Sequence, residues 1–345
     1  MTPSSLDNST NEQGNPFVTT GPVADSPGHT RKPSLMRERV TVIVLNWNGK
    51  ANTLACLESL HTQTVPVDVV VVDNGSQDDS VAAIAQRWPD ATLLATGRNL
   101  GYTGGNNVGI RHGLANGAPY LFVLNNDTRL APDCVAALLE ACATTPGAVA
   151  AAPKSLSTAR PETIHFAGGR ITNSGSAHHI GLDQPDGPAY GVAGDTDWIT
   201  GCALFVSREG FEKVGLFDER YFLLFEDLDW SLRARRLGCR LRYAPAARLW
   251  HRGSESFGGK RGPNYHYYFT RNGLLWLECH YRAAKRASLG MRFLHRAWQR
   301  AQRLGETALE RRTLQKATLL GVQDYLGRRF GQGNLSAVEA QTKQP

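Results

Sequence analysis

At 345 residues, 41% of them hydrophobic, the chain can build one large α/β domain or two smaller ones around a substantial core. Its formal charge of +7 is modest and unevenly spread, and no run approaches the ~18 apolar residues needed to span a membrane. The six cysteines (Cys56, Cys134, Cys142, Cys202, Cys239, Cys279) form no CxxC pair, which argues against a zinc or disulfide framework and for reduced packing thiols in a cytosolic protein.

Residues 1–36 are rich in Ser, Thr, Asn, Pro and Gly and carry no apolar signal-peptide core, so they are expected to be disordered. From Arg39 the character changes. VTVIVLNW is a continuous β-branched run, as expected of a strand buried on both faces. A helix is predicted over Asn52–Thr62, a second strand in VDVVVVDNGS, a helix over Ser80–Trp88 and a short strand in ATLLATG. A glycine-rich loop, GRNLGYTGGNN, then leads into a helix over Asn106–Asn116. PYLFVLNND is a strand, Ala131–Thr144 a helix and GAVAAAPK a strand.

This alternation implies βαβ units and a mostly parallel sheet with right-handed crossovers. Ligands of such sheets bind beyond the carboxyl ends of the strands. The polar clusters NWNG, VDNGS and LNNDT fall at those ends.

Between Ser155 and Asp197 the chain is rich in Gly, Ser, His and Pro and reads as loops and short strands, a candidate covering flap. TGCALFVS returns to strand character, FLLFEDLDWSLRARRLG opens a helix, and CRLRYAPAARLWH reads as one or two strands. From about Gly273 to Arg329 the pattern is helical. Twelve Lys/Arg face three acids between Arg282 and Arg329, interleaved with Leu294, Trp298, Leu304, Leu314, Leu319 and Tyr325.

Each cluster supports two readings. Asp73 at a strand end can aim a carboxylate at a ligand, or simply terminate the strand before Asp78 or Asp79 caps the next helix. The loop around Gly97, Gly101, Gly104 and Gly105 can bring backbone N–H groups to a phosphate, or be a long turn. Asn125 and Asp127, two apart on a strand end, suit a divalent cation that also holds a diphosphate, or a strand end and cap. His251 can be a satisfied core histidine or a metal ligand. Glu226, Asp227 and Asp229 can complement a helix dipole, but the apolar residues Phe222–Phe225 before them favour a chemical use for a carboxylate.

In order, VTVIVLNWNG, VVVVDNGSQDDS, RNLGYTGGNN, LNNDT, FEDLDWSLRARRLG and WHRGSES resemble a family-2 inverting glycosyltransferase of the GT-A fold, of the rhamnosyltransferase-like kind that builds bacterial cell-surface glycans. The resemblance runs from about Val40 to about Asn272. It implies a GT-A domain over residues 39–272, after a disordered segment (1–38) and before a basic amphipathic helical extension (273–330) and a flexible tail (331–345).

The resemblance places Asp73 at the donor's nucleobase, and Asn46 and Asn48 near base and ribose. Asn99, Gly101, Gly105 and Asn106 fall in the donor-binding loop. LNNDT falls where relatives carry a DxD metal motif, with Asp127 as its last acid and Asn125 in place of the first. His251 matches a further ligand of a Mg²⁺ or Mn²⁺ ion. Asp227 matches the general base, supported by Glu226, Asp229 and Trp230; apolar walls would raise its pKa toward a useful range.

The expected donor is a nucleotide-diphosphate sugar, dTDP-rhamnose as the single best choice, and the acceptor a glycan or polyprenyl-linked hydroxyl. The basic tail reads either as a packed amphipathic helix with a solvated arginine face or as a surface for anionic lipid. The second reading gives a cytoplasmic enzyme peripheral to the inner face of the cell membrane. Nucleic acid is not an expected partner, since no recognition motif accompanies the basic residues. A nucleotidyltransferase is disfavoured by NWNG where a GxGxR-type loop would stand. A non-catalytic sugar-nucleotide or membrane scaffold is the remaining alternative.

Overall fold

The computed structural model describes residues 38–172, 176–253 and 262–334. The expectations for residues 1–37, for 335–345 of the tail and for the SES of WHRGSES lie outside the described residues.

The chain opens with β1 (Val40–Asn46), α1 (Lys50–His61), β2 (Val67–Asp73), α2 (Ser80–Arg87), β3 (Thr92–Ala95), α3 (Gly101–Ala115) and β4 (Tyr120–Asn125). β1 pairs in parallel with both β2 and β4, and β2 with β3. Val40, Val42, Ile43 and Val44 are wholly buried because helices cover both faces of β1, which explains the unbroken apolar run.

β5 (Thr128–Leu130), α4 (Cys134–Ala143) and β6 (Ala148–Ser157) follow, then the short strands β7 (Ile164–Phe166), β8 (Gly169–Ile171), β9 (Ala177–His179) and β10 (Gly194–Asp195). β11 (Ala203–Ser207), α5 (Arg208–Val214), α6 (Glu226–Arg236) and β12 (Arg240–His251) complete the sheet region. The main sheet runs β10-β12-β6-β11-β4-β1-β2-β3, with β5 on β12 and β7 on β6. It is mixed: β11 lies antiparallel between β4 and β6. β12 is a single strand with a register shift between Ala244 and Arg248, next to Pro245, which has no N–H for the ladder.

Two expectations change. The glycine-rich stretch is helical from Gly101, five residues before Asn106. The cause is packing: a Cβ at Gly105 would meet Leu45 and Asn74, and one at Gly109 would meet Ile43, so glycines let α3 lie directly on β1 and β2.

The C-terminal helices α7 (Pro263–His280), α8 (Ala283–Leu304) and α9 (Ala308–Leu326) start earlier than expected, so residues 272 and 273, the anticipated boundary, lie inside α7. α7 is largely buried and packs on the sheet region through Tyr221, Phe222 and Phe225. The buried stripe of α8 is Leu289, Phe293, Ala297 and Ala301, rather than Leu294 and Trp298; Leu319 of α9 is half exposed. Among the described residues, no helix is long and apolar enough to cross a membrane.

Candidate active site

The register of the parallel strands sets Asn46 opposite Asp73 and Leu45 opposite Asn125, so three polar residues share one edge of the sheet. Asp73 is buried and accepts hydrogen bonds from Asn46 Nδ2 (2.9 Å) and the backbone N–H of Ser76 (3.1 Å). Asn46 Oδ1 accepts from the Thr53 hydroxyl at 2.7 Å. Asn48, with φ of 49°, accepts from the Gln77 N–H at 2.7 Å and closes the loop after β1 onto the loop after β2.

Asn74 was not anticipated. It is buried and ties the end of β2 to the next turn, donating to Asn99 Oδ1 and the Gly101 carbonyl and accepting from the Leu100 N–H. Asn99 in turn accepts from the Gly101 N–H at 2.8 Å, and the Thr103 N–H donates to the Phe222 carbonyl. The backbone N–H groups of Leu100, Gly101 and Thr103, in the glycine-rich stretch, are therefore engaged within the protein. Gly105 and Asn106 are buried in α3; Asn106 donates to the Tyr102 carbonyl and leaves its own Oδ1 without a partner.

β12 carries His251 alongside Thr128 of β5, and this pairing brings the imidazole to Asp127. Asp127 Oδ1 and His251 Nε2 face each other at 3.1 Å, both nearly buried, and neither makes a well-aligned hydrogen bond. Burial would raise the Asp127 pKa, but His251 and local hydrogen bonds outweigh it and keep the carboxylate ionised. Two facing, desolvated ligand atoms fit a divalent cation: adjacent corners of an octahedron with ~2.1 Å bonds lie about 3.0 Å apart. His165 and Cys202 lie beside His251, and burial pushes the Cys202 thiol up to about 12.

Asp227 stands in the first turn of α6. Its Oδ2 accepts from the Gly201 N–H at 2.8 Å and its Oδ1 from the Leu228 N–H at 2.7 Å. Burial raises its pKa against the pull of these donors. Glu226 is deeper, with Oε2 unpartnered among the described residues; burial and the Asp227 charge push its pKa well above the usual carboxylate range.

Asp229 turns the other way. It is held by Arg233 (2.8 Å) and His280 (2.8 Å), which outweigh burial and keep it ionised, and it anchors α6 to α7. Trp230 is wholly buried and donates to the Gly215 carbonyl, a core residue rather than a wall of the site. The expected supporting group therefore divides: Glu226 adjoins Asp227, whereas Asp229 and Trp230 hold the helix.

The approach to α6 explains the apolar FLLF. Phe222, Leu224 and Phe225 have φ of 61°, 69° and 74°, a left-handed conformation costly for bulky side chains. Asn272 of α7 stabilises it by donating to the carbonyls of Tyr221 (2.7 Å), Leu223 (2.6 Å) and Leu224 (3.1 Å). Arg271 adds a bond to Tyr221 at 3.0 Å. A turn at Gly201 links the parts: its N–H reaches Asp227, its carbonyl accepts from Tyr102 of α3, and the Cys202 carbonyl accepts from the Asn125 N–H. No motif in the sequence marked Gly201 or Asn272; their partners lie 26 to 99 positions away.

Residues 41–166 match the model of "Glycosyl transferase family 2", and residues 120–305 match "Glycosyl transferase family group 2". The chain belongs to glycosyltransferase family 2. It is rhamnosyltransferase-like: it is 32% identical over 246 residues to the N-acetylglucosaminyl-diphospho-decaprenol L-rhamnosyltransferase of Mycobacterium tuberculosis, covering 65% of this chain and 79% of that one. It is 25% identical over 258 residues to the dTDP-rhamnosyl transferase RfbF of Shigella flexneri, covering 70% and 81%.

Two solved structures are similar in fold. GalNAc-T7 with UDP, GalNAc and Mn²⁺ aligns with a TM-score of 0.53 at 16% identity, covering 76% of this chain and 54% of that one. TarS 1-349 of S. aureus aligns with a TM-score of 0.51 at 14% identity, covering 84% and 81%. The fold is GT-A, and the protein is a glycosyltransferase.

Proposed function

We propose that this glycosyltransferase moves L-rhamnose from dTDP-rhamnose to a hydroxyl of a polyprenyl-diphosphate-linked saccharide, inverting the anomeric centre in one displacement for cell-surface polysaccharide synthesis. The observation that carries the mechanism is Asp227: a carboxylate with a raised pKa, fixed by two backbone N–H groups at the mouth of a left-handed loop. Donor and acceptor follow the two rhamnosyltransferases to which the chain is similar.

Asp73, braced by Asn46 and Ser76, receives the nucleobase, and Asn48 borders the ribose. Asn99, Gly101, Gly105 and Asn106 set the position of α3 beside the donor. The acceptor oxygen attacks the anomeric carbon as its proton passes to Asp227, and the bond to the diphosphate breaks on the opposite face. Glu226, protonated, presents no competing charge beside the base. A divalent cation, Mg²⁺ or Mn²⁺, held by Asp127 and His251 with Asn125 nearby, would neutralise charge on the departing diphosphate.

The test is transfer of radiolabelled rhamnose from dTDP-rhamnose to a synthetic GlcNAc-diphosphoryl-prenol, with Mn²⁺ and with EDTA. The expected result is a product whose anomeric configuration is opposite to that of the donor, lost on chelation. Retention of configuration excludes Asp227 as a simple base, and use of UDP- or GDP-sugars instead replaces the donor assignment.

A further inference from the structure

Behind the FLLF loop lies a cavity of about 280 Å³ that the reaction just described leaves unused. Its walls are aromatic: Phe225 lies 5.5 Å from Phe269 and 6.3 Å from Phe293, and those two rings stack at 5.2 Å. Phe225 immediately precedes α6, and Leu228, the residue after Asp227, also lines the cavity. The cavity and the catalytic carboxylate thus share one short piece of chain.

The same cavity is lined by Arg296 and Arg300. They are four apart on α8 and so project from one face. Arg300 stacks on Tyr265 at 4.8 Å and on Phe269 at 5.3 Å, and Arg296 donates to the Ser176 hydroxyl at 2.9 Å. Among the described residues neither forms an ion pair with a carboxylate, and α8 carries six Lys/Arg and no acid. An apolar hollow with two arginines not offset by acids suits an amphiphile whose polar end is a compact polyanion. At under the ~300–1,000 Å³ of sites that enclose whole ligands, it suits one end of a longer molecule.

We propose that this cavity is the lipid subsite for the acceptor: the first isoprene units lie among Phe225, Phe269 and Phe293, and the diphosphate rests on Arg296 and Arg300. The placement rests on the lipid-linked acceptor proposed above. A bare phosphate would have no use for the aromatic walls, and a two-chain phospholipid is too broad for one narrow hollow. A prenyl diphosphate seated here touches Phe225 and Leu228, on either side of Asp227 in the chain, which ties lipid occupancy to the loop before α6.

The experiment is calorimetric titration of the full-length protein, saturated with dTDP to fill the donor site, with farnesyl diphosphate, farnesol and inorganic pyrophosphate. Farnesyl diphosphate is expected to bind at least tenfold more tightly than either fragment. Arg296→Gln with Arg300→Gln is expected to weaken it at least tenfold without changing dTDP affinity. His178→Trp, at an exposed position lining the cavity, is expected to weaken it with both arginines intact. Unchanged affinity in the arginine variant, or displacement of farnesyl diphosphate by dTDP, overturns the assignment. So does arginine-dependent adsorption to phosphatidylglycerol vesicles without binding of soluble farnesyl diphosphate. Rhamnose transfer to soluble saccharides with no farnesyl diphosphate binding overturns the subsite alone; arginine-dependent binding in a protein that cannot use dTDP-rhamnose overturns the donor assignment alone.

Discussion

On one side of the crevice, Asn46, Asp73 and Asn125 sit where three parallel strands end, set there by the backbone register of β1 with β2 and β4. On the other side, Asp227 depends on a left-handed loop, a turn at Gly201, and the amide of Asn272 from a helix that begins 36 residues later in the chain, at Pro263. The strand-end half is fixed by the backbone ladder of the parallel strands. The helical half is assembled from residues that meet only when the whole chain has folded. The carboxylate of Asp227 is therefore more sensitive than that of Asp73 to changes at a distance.

The sharpest way to separate the halves is Asp227→Asn. Transfer is expected to fall ~10²–10⁴-fold, the range for loss of a general base, while calorimetric dTDP affinity stays unchanged. Equal loss of both would mean that the two sides are one cooperative unit. Next in size is Asn272→Ala, which removes the side-chain donor shared by three carbonyls, of which Tyr221 keeps its bond from Arg271. It is expected to cost ~1–3 kcal/mol in a denaturation curve and to lower kcat at least about tenfold with little change in donor KM. An effect on KM alone would break the link between α7 and the base.

The reciprocal change, Asp73→Ala, removes the acceptor of two hydrogen bonds at the end of β2. Weakening of dTDP by about tenfold, with kcat at saturating donor largely kept, is the expected pattern. The smallest effect concerns protonation. The proposed base must be ionised to act, so kcat/KM is expected to fall as pH drops through the pKa of Asp227, which burial raises. Glu226→Gln mimics the protonated acid and is expected to leave that acid limb in place; a downward shift of the limb would show that Glu226 is charged in the native enzyme.

What was legible in the sequence follows the same division. β1, β2, β4 and the polar residues at their ends were readable because a strand buried on both faces must be continuously apolar and must stop where polarity begins. The start of α3 was not, because glycines that normally mark a loop are required there by close packing on Leu45 and Ile43. Asp229 and Trp230 looked like partners of Asp227 from adjacency alone, yet on a helix they point to His280 and Gly215. Asn74, Gly201 and Asn272 carry no local signal, since a side-chain amide or a turn reveals its purpose only through distant partners.

The left-handed run at Phe222, Leu224 and Phe225 has a practical consequence for how the enzyme fails. Such a segment persists only while its surroundings hold it, and each bulky residue in it favours escape by roughly 1–2 kcal/mol. Warming is therefore expected to release this loop before the ten-stranded sheet gives way. Catalysis then disappears at a temperature where far-ultraviolet circular dichroism is still native, and brief heating followed by cooling restores it.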